Sequence, residues 1–347
     1  MKSKIVEVPS LMEPIQKSPG FAKKGLSEFK LDLCALCGFG CPYCSSNSGN
    51  YLRINRTAFA EMARQQLGQP LTPFDDPQLM YVWPDVLERL EAQLGRHDRS
   101  QGTGKTLVFS MLTDGFSPKL LKDGTTEQAL RLVLEQTSFR IRVLTKNAIV
   151  GSKFWIHFFQ KYRERFVVGL SIGTTDDRWA QRVEIGTSTP TARLRALNRL
   201  QEAGVATFGM LCPVFPDVLE DAALERLVDD IRPKLVEHVW AEPFNDRGNW
   251  KHVQNGYPKG SPGYRWLTDV YHERNHHLWS SYAAELYRRL RDKAIGEGWL
   301  PKLRYLLYEQ QIAQPDTKTF RGLEGVWLQS KPGEDGKSQN PWIAALQ

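Results

Sequence analysis

The chain has 347 residues, of which 41% are hydrophobic and 24% are charged, values typical of a globular protein with one large domain or two smaller ones. No apolar run reaches the roughly 18 residues of a transmembrane helix, and the N-terminus lacks the apolar stretch of a signal peptide. We therefore expect a cytoplasmic protein that does not enter a membrane. The net charge of +7 permits a polyanionic partner such as nucleic acid, although an ordinary basic surface also explains it.

Short apolar runs alternate with helical patterns along most of the chain. Residues 1–28 mix Pro, Gly, Ser and Lys and predict an irregular arm. Strands are predicted at residues 29–33, 105–112, 139–145, 166–172, 205–214 and 235–241. Helices are predicted at residues 56–67, 84–94, 126–136, 152–164, 190–204 and 219–231.

Six strands that alternate with helices predict a parallel sheet, and β/α units of this length favour a barrel. The predicted fold class is therefore α/β, a partial (β/α)6 barrel over residues 29–241. Residues 242–347 differ in composition, because seven of the ten tryptophans lie from Trp240 onward. We predict that this mixed, Trp-rich segment, with one long helix at residues 276–298, forms a C-terminal cap.

The most informative motif is CGFGCPYC at residues 37–44, which contains three of the five cysteines, Cys37, Cys41 and Cys44. Thiolates are soft ligands for iron–sulfur clusters and for zinc. Three thiolates at this spacing would leave one iron of a 4Fe–4S cluster without a protein ligand, and an open metal position is typical of a catalytic site. A compact four-cysteine zinc site that includes Cys34 is the alternative, and Cys34 is otherwise a buried thiol at the end of the first strand.

The motif resembles the signature of the radical S-adenosylmethionine (SAM) superfamily. This resemblance implies that Cys37, Cys41 and Cys44 bind a 4Fe–4S cluster and that SAM chelates the remaining iron. In that family the reduced cluster cleaves SAM to methionine and a 5′-deoxyadenosyl radical, which abstracts hydrogen from the substrate, while the protein supplies binding and orientation. Tyr43, the aromatic residue before the last cysteine, also matches the family pattern, in which it commonly lies beside the adenine.

Three later stretches resemble the spore photoproduct lyase branch of this superfamily, namely RIRVLTKN (140–147), FVVGLSIGT (166–174) and residues 183–216. The resemblance implies that Lys146 pairs with the SAM carboxylate as a point charge, with a solvated surface lysine as the alternative. It also implies that Ser171 hydrogen-bonds the same carboxylate or the ribose, with a turn residue at the end of the strand as the alternative.

Two further candidate SAM contacts depart from the family pattern or have a second interpretation. The loop SMLTDG (110–115) stands where the family binds the SAM amino group, but it lacks the common Gly-Gly-Glu. Thr113 and Asp114 are the substitutes in this chain, and a plain turn is the alternative for Asp114. Glu184 either contacts SAM or starts the next helix.

Cys212 lies near the end of the fifth predicted strand and is the candidate catalytic residue, as a hydrogen-atom donor. A small buried apolar side chain is the alternative role. Photoproduct lyases carry their donor cysteine after the second strand, and this sequence has no cysteine between residues 45 and 211. This departure from the family pattern argues against the repair of thymine photoproducts.

The predicted function is that of a radical SAM enzyme, with a 4Fe–4S cluster and SAM as cofactors. We expect an electron donor such as flavodoxin or ferredoxin as a partner. Nucleic acid is the leading substrate class, because WAEPFNDRGNWKH (240–252) mixes rings that could stack on bases with cations that could contact phosphate. The alternative for this segment is a packed core of the tail with a polar rim. A peptide or a small metabolite stays open as substrate, and the alternative function is a non-catalytic iron–sulfur or zinc-binding protein.

Overall fold

The computed structural model describes residues 4–10, 12–246, 248–307, 312–320 and 326–328, the last of these for the backbone alone. The chain divides into two compact units. The first unit comprises Met1–Leu170, Asp177–Thr207 and Arg247–Gly256, and the second comprises Ser171–Asp176, Phe208–Asp246 and Tyr257–Gln347. The predicted boundaries after residues 28 and 241 differ from this division and stay a prediction of domain organisation.

The described elements alternate between strands and helices for most of the chain. The strands are β1 (Ile5–Glu7), β2 (Ile15–Lys17), β3 (Phe29–Leu31), β4 (Cys34–Cys37), β5 (Met80–Val82), β6 (Thr106–Phe109), β7 (Arg140–Thr145), β8 (Phe166–Ser171), β9 (Thr207–Val214), β10 (Val239–Pro243), β11 (Leu303–Leu307) and β12 (Val326–Leu328). The helices are α1 (Pro19–Ala22), α2 (Asn50–Leu67), α3 (Val86–Leu94), α4 (Pro118–Lys122), α5 (Thr125–Gln136), α6 (Lys153–Lys161), α7 (Asp177–Val183), α8 (Pro190–Glu202), α9 (Ala223–Ile231), α10 (Trp250–Gln254), α11 (Pro262–Leu267), α12 (His276–Glu297) and α13 (Gln314–Phe320). None of these helices has the length and apolarity needed to span a bilayer.

The first unit contains a mostly parallel sheet in the order β2–β3–β6–β7–β8. Strands β3, β6, β7 and β8 are parallel neighbours, and β2 joins the edge as an antiparallel strand. Leu107 and Val108 of β6 and Ile141 and Val143 of β7 are fully buried, and the Arg142 side chain between the latter two is buried as well, so both faces of these strands are covered. Their carboxyl ends therefore deliver the following loops, residues 110–117 and 146–152, to one edge of the sheet.

The second unit contains four parallel strands in the order β9–β10–β11–β12. The predicted fold class is confirmed, since the protein is α/β with a mostly parallel, open sheet. No closed barrel is found among the described strands. The tail is more regular than predicted, because LRYLL forms β11 and extends the parallel sheet of this unit.

A small antiparallel and parallel sheet, β1–β5–β4, is a second difference from the prediction. Its strands have three or four residues, and β1 lies inside the segment predicted to be an irregular arm. Helix α2 packs on this sheet through Leu52, Phe59 and Ala63, which share a buried core with Leu36 and Tyr81. This core anchors both ends of the cysteine motif, because β4 ends at the first cysteine of the motif, Cys37, and α2 begins at Asn50, shortly after the last, Cys44.

Candidate functional site

The cysteine loop, residues 37–44, leaves β4 and turns back on itself before α2. Gly38 and Gly40 have positive φ angles of 74° and 67°, a backbone conformation that glycine adopts without steric cost. A Cβ on Gly40 would lie 2.8 Å from the carbonyl oxygen of Pro77, so the loop packs tightly against the chain before β5. The turn closes with a hydrogen bond from Cys44 N to Cys41 O at 3.1 Å.

The three thiols of the loop lie in one largely buried environment. Cys37 and Cys41 are buried and Cys44 is half-buried, and all three are free thiols. Burial raises the pKa of Cys37 to about 12, and the neighbouring Cys44 adds to this rise. Burial also raises the pKa of Cys41, although the positive charge of Lys146 opposes the shift. The neighbouring thiols raise the pKa values of Cys37 and Cys41, and a coordinating metal would reverse this effect by deprotonating its thiol ligands.

This donor set fits an iron–sulfur cluster. Asn47 Nδ2 donates to Cys37 Sγ at 3.8 Å, and hydrogen bonds to ligand sulfurs are one means by which a protein sets a cluster potential. Asn47 Oδ1 is buried without a hydrogen-bond partner, as occurs beside a site that accommodates a further group. Among the residues described, no three His, Cys, Asp or Glu side chains surround one ion position.

Three predicted cofactor-binding residues, Tyr43, Lys146 and Glu184, meet beside the loop. The Tyr43 hydroxyl donates to Glu184 Oε1, and Lys146 Nζ lies 5.4 Å from the centroid of the Tyr43 ring. The second oxygen of Glu184 pairs with the fully buried guanidinium of Arg193. Burial opposes ionisation of Glu184, but the charges of Arg193 and Lys146 hold its pKa below the usual value. We call Tyr43, Lys146, Glu184 and Arg193 the buried network.

Glu184 follows the last residue of α7, so the alternative that it starts the next helix is wrong. Helix α8 begins at Pro190, and the Thr189 hydroxyl caps it by accepting from Ala192 N at 3.3 Å. Arg193 was missed by the sequence analysis. It lies one turn before Leu197 on the apolar side of α8, a position where a charged residue indicates a buried partner.

Thr113 and Asp114 organise the loop after β6. Asp114 accepts hydrogen bonds from Thr145 Oγ1, Lys146 N and Phe116 N at 2.7–3.0 Å, which ties this loop to the end of β7. Burial raises the pKa of Asp114 against these hydrogen bonds. Both oxygens of Asp114 are thus engaged by its own chain, and its predicted contact with the SAM amino group stays a prediction.

Asp32 is a second residue, after Arg193, that the sequence analysis missed. It is buried and accepts from Thr113 Oγ1, Thr113 N and Leu112 N, each at 3.1 Å. The predicted SAM residue Thr113 is therefore bound by a carboxylate of its own chain. Cys34 lines a cavity of about 240 Å³ together with Asp32 and Thr113, so it is a buried thiol beside the loop rather than part of a distant core.

Ser171 and Cys212 belong to the second unit, where they are joined. The Ser171 hydroxyl donates to Cys212 O at 2.6 Å, and Cys212 Sγ donates to Glu242 Oε2 at 3.2 Å. Asn245 Nδ2 donates to the other oxygen of Glu242 at 3.0 Å. We call Cys212, Glu242 and Asn245 the thiol–carboxylate group. Cys212 is half-buried, so its thiol is more accessible than the fully buried apolar alternative requires.

Comparisons with known proteins give distant likenesses. No family model matches the chain. Among curated proteins, the chain is 24% identical over 159 residues to uncharacterized protein ORF301 of Acidianus two-tailed virus, a match that covers 44% of this chain and 50% of that protein. The chain thus spans half the length of the curated relative it matches.

Solved structures similar to the chain include spore photoproduct lyases. One is a lyase mutant with bound AdoMet and dinucleoside spore photoproduct, at a TM-score of 0.40 and 14% identity over 92% of this chain and 66% of that chain. A second lyase mutant has a TM-score of 0.46 and 16% identity over 74% of this chain and 66% of that one. His-tagged anSMEcpe with bound AdoMet has a TM-score of 0.46 and 14% identity over 79% of this chain and 61% of that one. Because these superpositions are loose, the function has to be inferred from the residues of the site.

Proposed function

We propose that the protein is a radical SAM enzyme, in which Cys37, Cys41 and Cys44 hold a 4Fe–4S cluster and SAM occupies the remaining iron. The observation that carries this proposal is the cysteine loop itself. It places three largely buried thiols on a glycine-dependent turn, with an Asn47 N–H bonded to one sulfur. When bound, the cluster and SAM supply one-electron cleavage of SAM and hence hydrogen abstraction from the substrate.

The residues of the buried network would bind and orient SAM. Lys146 brings a positive charge to the Tyr43 ring beside the loop, where it would pair with a carboxylate as a point charge. The Tyr43 ring would lie beside the adenine, and its hydroxyl is fixed by Glu184. Glu184 also holds Arg193, so its contribution is to position Tyr43 rather than to offer an unoccupied carboxylate.

Burial of the thiols supports a role in excluding water. A reaction that abstracts hydrogen has to be shielded from solvent and from side reactions. The cysteine loop meets this need because Gly186 approaches it closely, with a hydrogen bond from Gly186 N to Phe39 O at 2.8 Å. Thr113 and Asp114 would contribute to SAM binding by ordering the loop after β6. Ser171 would contribute to SAM binding through its position at the end of β8.

Nucleic acid is the substrate class that we propose. The net charge of +7 and the cations and rings of residues 248–256 support a polyanionic partner with stacking bases. A flavodoxin or ferredoxin would supply the electron that reduces the cluster, because the cluster is the one redox group that this proposal places in the chain. Cys212 would return a hydrogen atom to the substrate radical, and the thiyl radical left on Cys212 would be reduced back to the thiol by a further electron from the same donor protein and a proton from solvent.

The experiment that tests this function is anaerobic. The protein is reconstituted with iron and sulfide, SAM and dithionite are added, and 5′-deoxyadenosine is quantified by chromatography. We expect the wild type to form deoxyadenosine and Cys41→Ala to form none. Cys34→Ala is the matched control, because it removes a buried thiol outside the spacing, and it should retain the product. Stoichiometric zinc in the isolated protein, with no deoxyadenosine from any sample, would favour a non-catalytic metal-binding protein instead.

A further inference from the structure

A basic and aromatic face of the first unit lies beside the cysteine loop. It is built from the first half of α2 and from residues 248–256, which approach each other closely. A Cβ on Gly248 would lie 2.5 Å from Asn50 Oδ1, and Asn249 Nδ2 donates to Cys44 O at 3.5 Å. We call this surface the basic face and define it by six residues: Arg53, Arg56, Phe74, Trp250, Lys251 and His252.

The charge of the basic face has one sign. Arg53, Arg56 and Lys251 are exposed, and the segments 50–60 and 248–256 contain no acidic residue. Glu61 and Asp246 flank these segments in the sequence, and Glu61 pairs with Arg64 at 2.6 Å. The two acids that follow Phe74 also have partners. Asp75 accepts from Thr72 N and Oγ1 at 2.9 and 2.8 Å, and Asp76 pairs with Lys4 at 3.4 Å. The cations of this face are therefore not neutralised by its own segments.

The cations alternate with aromatic rings. The Arg56 guanidinium lies 5.3 Å from the centroid of the Phe74 ring, and the Phe74 and His252 ring centroids are 4.9 Å apart. Lys251 Nζ lies 5.4 Å from the centroid of the Trp250 ring. Tyr51, which is 43% exposed on the same part of α2, adds a further ring. Interleaved cations and rings are the pattern by which proteins bind unpaired strands of nucleic acid.

A cavity opens in this face next to the loop. It has a volume of about 390 Å³, and its lining includes Pro42, Phe74, Arg182, His252 and Asn255. Arg182 is fixed by a hydrogen bond from Nε to Gly256 O at 2.9 Å. Ligand pockets typically have volumes of about 300–1,000 Å³ and combine an apolar lining with a few polar groups. An apolar floor with amide, imidazole and guanidinium groups suits a planar base with an attached phosphate.

We propose that the basic face binds an unpaired strand of nucleic acid. Arg53, Arg56 and Lys251 contact successive phosphates, Trp250 stacks on a base, and the cavity at Phe74 accepts a second base. The proposal rests on the nucleic-acid substrate proposed above and goes beyond it in naming the surface and the unpaired state of the strand. Bases that are paired in a duplex present no face for stacking, so duplex nucleic acid should bind more weakly.

The test is the salt dependence of binding, measured by fluorescence anisotropy with the full chain after cluster reconstitution. The probe is a labelled oligothymidylate of about 12 nucleotides, within the site sizes of single-strand binders. Each phosphate contact to a single strand contributes about 0.7 to the slope of log Kd against log salt, so Arg53→Gln combined with Arg56→Gln should lower the slope by about 1.4. Arg64→Gln is the matched control on the same helix, because Arg64 is already paired with Glu61 at 2.6 Å, and its slope should equal that of the wild type.

The stacking component has its own variants. Trp250→Ala should weaken binding roughly 5- to 150-fold with an unchanged salt slope, the range expected for the loss of one stacked base. Trp250→Phe keeps a ring and should recover most of the affinity, which separates stacking from damage to α10. The proposal is overturned if the double arginine variant has the slope of Arg64→Gln, if a duplex of the same sequence binds as tightly, or if polyglutamate competes as well as the oligonucleotide.

A parallel deoxyadenosine assay without nucleic acid separates this proposal from the proposed function. Deoxyadenosine formation with no specific strand binding would overturn the basic face as a binding site and leave the radical SAM activity standing. Strand binding with the predicted slopes but no deoxyadenosine from the wild type would support the face and count against the enzyme.

Discussion

The buried network and the thiol–carboxylate group differ in how deeply their charges are buried. In the buried network, Glu184 and Arg193 have side chains that are 5% and 0% exposed. In the thiol–carboxylate group, Cys212 and Glu242 are both half-buried. A buried ion pair is tolerated only when every partner is in place, whereas groups near water exchange partners at small cost. The first region therefore holds a fixed geometry beside the cysteine loop, whereas the second keeps a thiol only partly shielded from solvent.

The largest effect should follow from breaking the ion pair of the buried network. Arg193→Met removes the paired guanidinium from the buried Glu184, which keeps only the weaker interaction with Lys146 and the hydrogen bond from Tyr43, so we expect a loss of about 3–5 kcal/mol in the free energy of unfolding. Urea denaturation followed by circular dichroism measures this loss. The double variant Arg193→Met with Glu184→Gln removes both charges and should recover a large part of it.

Equal destabilisation in the single and double variants would contradict this assignment, because the cost would then arise from lost packing and not from the unpaired carboxylate. Exchange of the exposed Arg288, which pairs with Glu285 on the surface of α12, is the matched control. Surface ion pairs contribute about 0–1 kcal/mol, so Arg288→Met should change the stability little.

The second effect concerns the turn that places the thiols. Gly40→Ala forces a left-handed backbone on alanine, at about 1–2 kcal/mol, and also sets its Cβ 2.8 Å from the Pro77 carbonyl oxygen. Gly68→Ala has the same backbone requirement at φ +75° but no atom within 4 Å of its Cβ. We expect Gly40→Ala to be the more destabilising by at least about 1 kcal/mol and to lower the iron bound per chain after reconstitution. Iron retention equal to that of Gly68→Ala would show that the loop tolerates a shift away from Pro77.

The parts of this architecture that could be predicted are those with long apolar runs or a fixed cysteine spacing. All six predicted strands are present as β3, β6, β7, β8, β9 and β10, because each overlaps a run of at least five alternating or mostly apolar residues, although β3 itself has only three residues and β10 begins four residues later than predicted. Strands β1, β4 and β5 have three or four residues, too few for periodicity to appear. Helix α2 begins at Asn50, six residues before the predicted start, because its first turns pack on this small sheet rather than follow an amphipathic pattern.

The site shows the same division between local and tertiary signals. The spacing of Cys37, Cys41 and Cys44 is local and visible in the sequence. The partners that order the site, Asp32, Arg193 and Glu242, act on residues 81, 9 and 30 positions away. Contacts of this kind depend on how strands and helices are assembled, so a single sequence contains no direct signal for them. Only Arg193, a charge on the apolar side of a helix, gave a local indication.

A smaller effect should come from the hydrogen bond to the first cysteine. Asn47→Leu removes the N–H that Cys37 Sγ accepts, and the reduced cluster, which has more negative charge on sulfur, loses more from this than the oxidised one. A hydrogen bond of about 0.5–1.5 kcal/mol corresponds to a potential about 20–65 mV more negative. Redox titration followed by electron paramagnetic resonance measures the shift, and Asn55→Leu on the exposed side of α2 is the control. An unchanged potential would show that the 3.8 Å contact does not reach the cluster electronically.

The smallest effect on stability should come from the thiol–carboxylate group, and this is where the two regions separate most sharply. Cys212→Ser keeps a donor within reach of Glu242 and leaves the buried network untouched, so we expect a change in the free energy of unfolding within about 1 kcal/mol. Iron content and deoxyadenosine formation should match the wild type, since the cysteine loop belongs to the other unit. Product formation from a nucleic-acid substrate should nevertheless fall, because a serine O–H bond is too strong to give up a hydrogen atom as a thiol does. Liquid chromatography with mass spectrometry on the same samples measures both products. If Cys212→Ser forms substrate product at the wild-type rate, Cys212 is a structural thiol and the second region holds no catalytic residue. If Cys212→Ser instead loses iron, the two regions are coupled and the contrast between them does not hold.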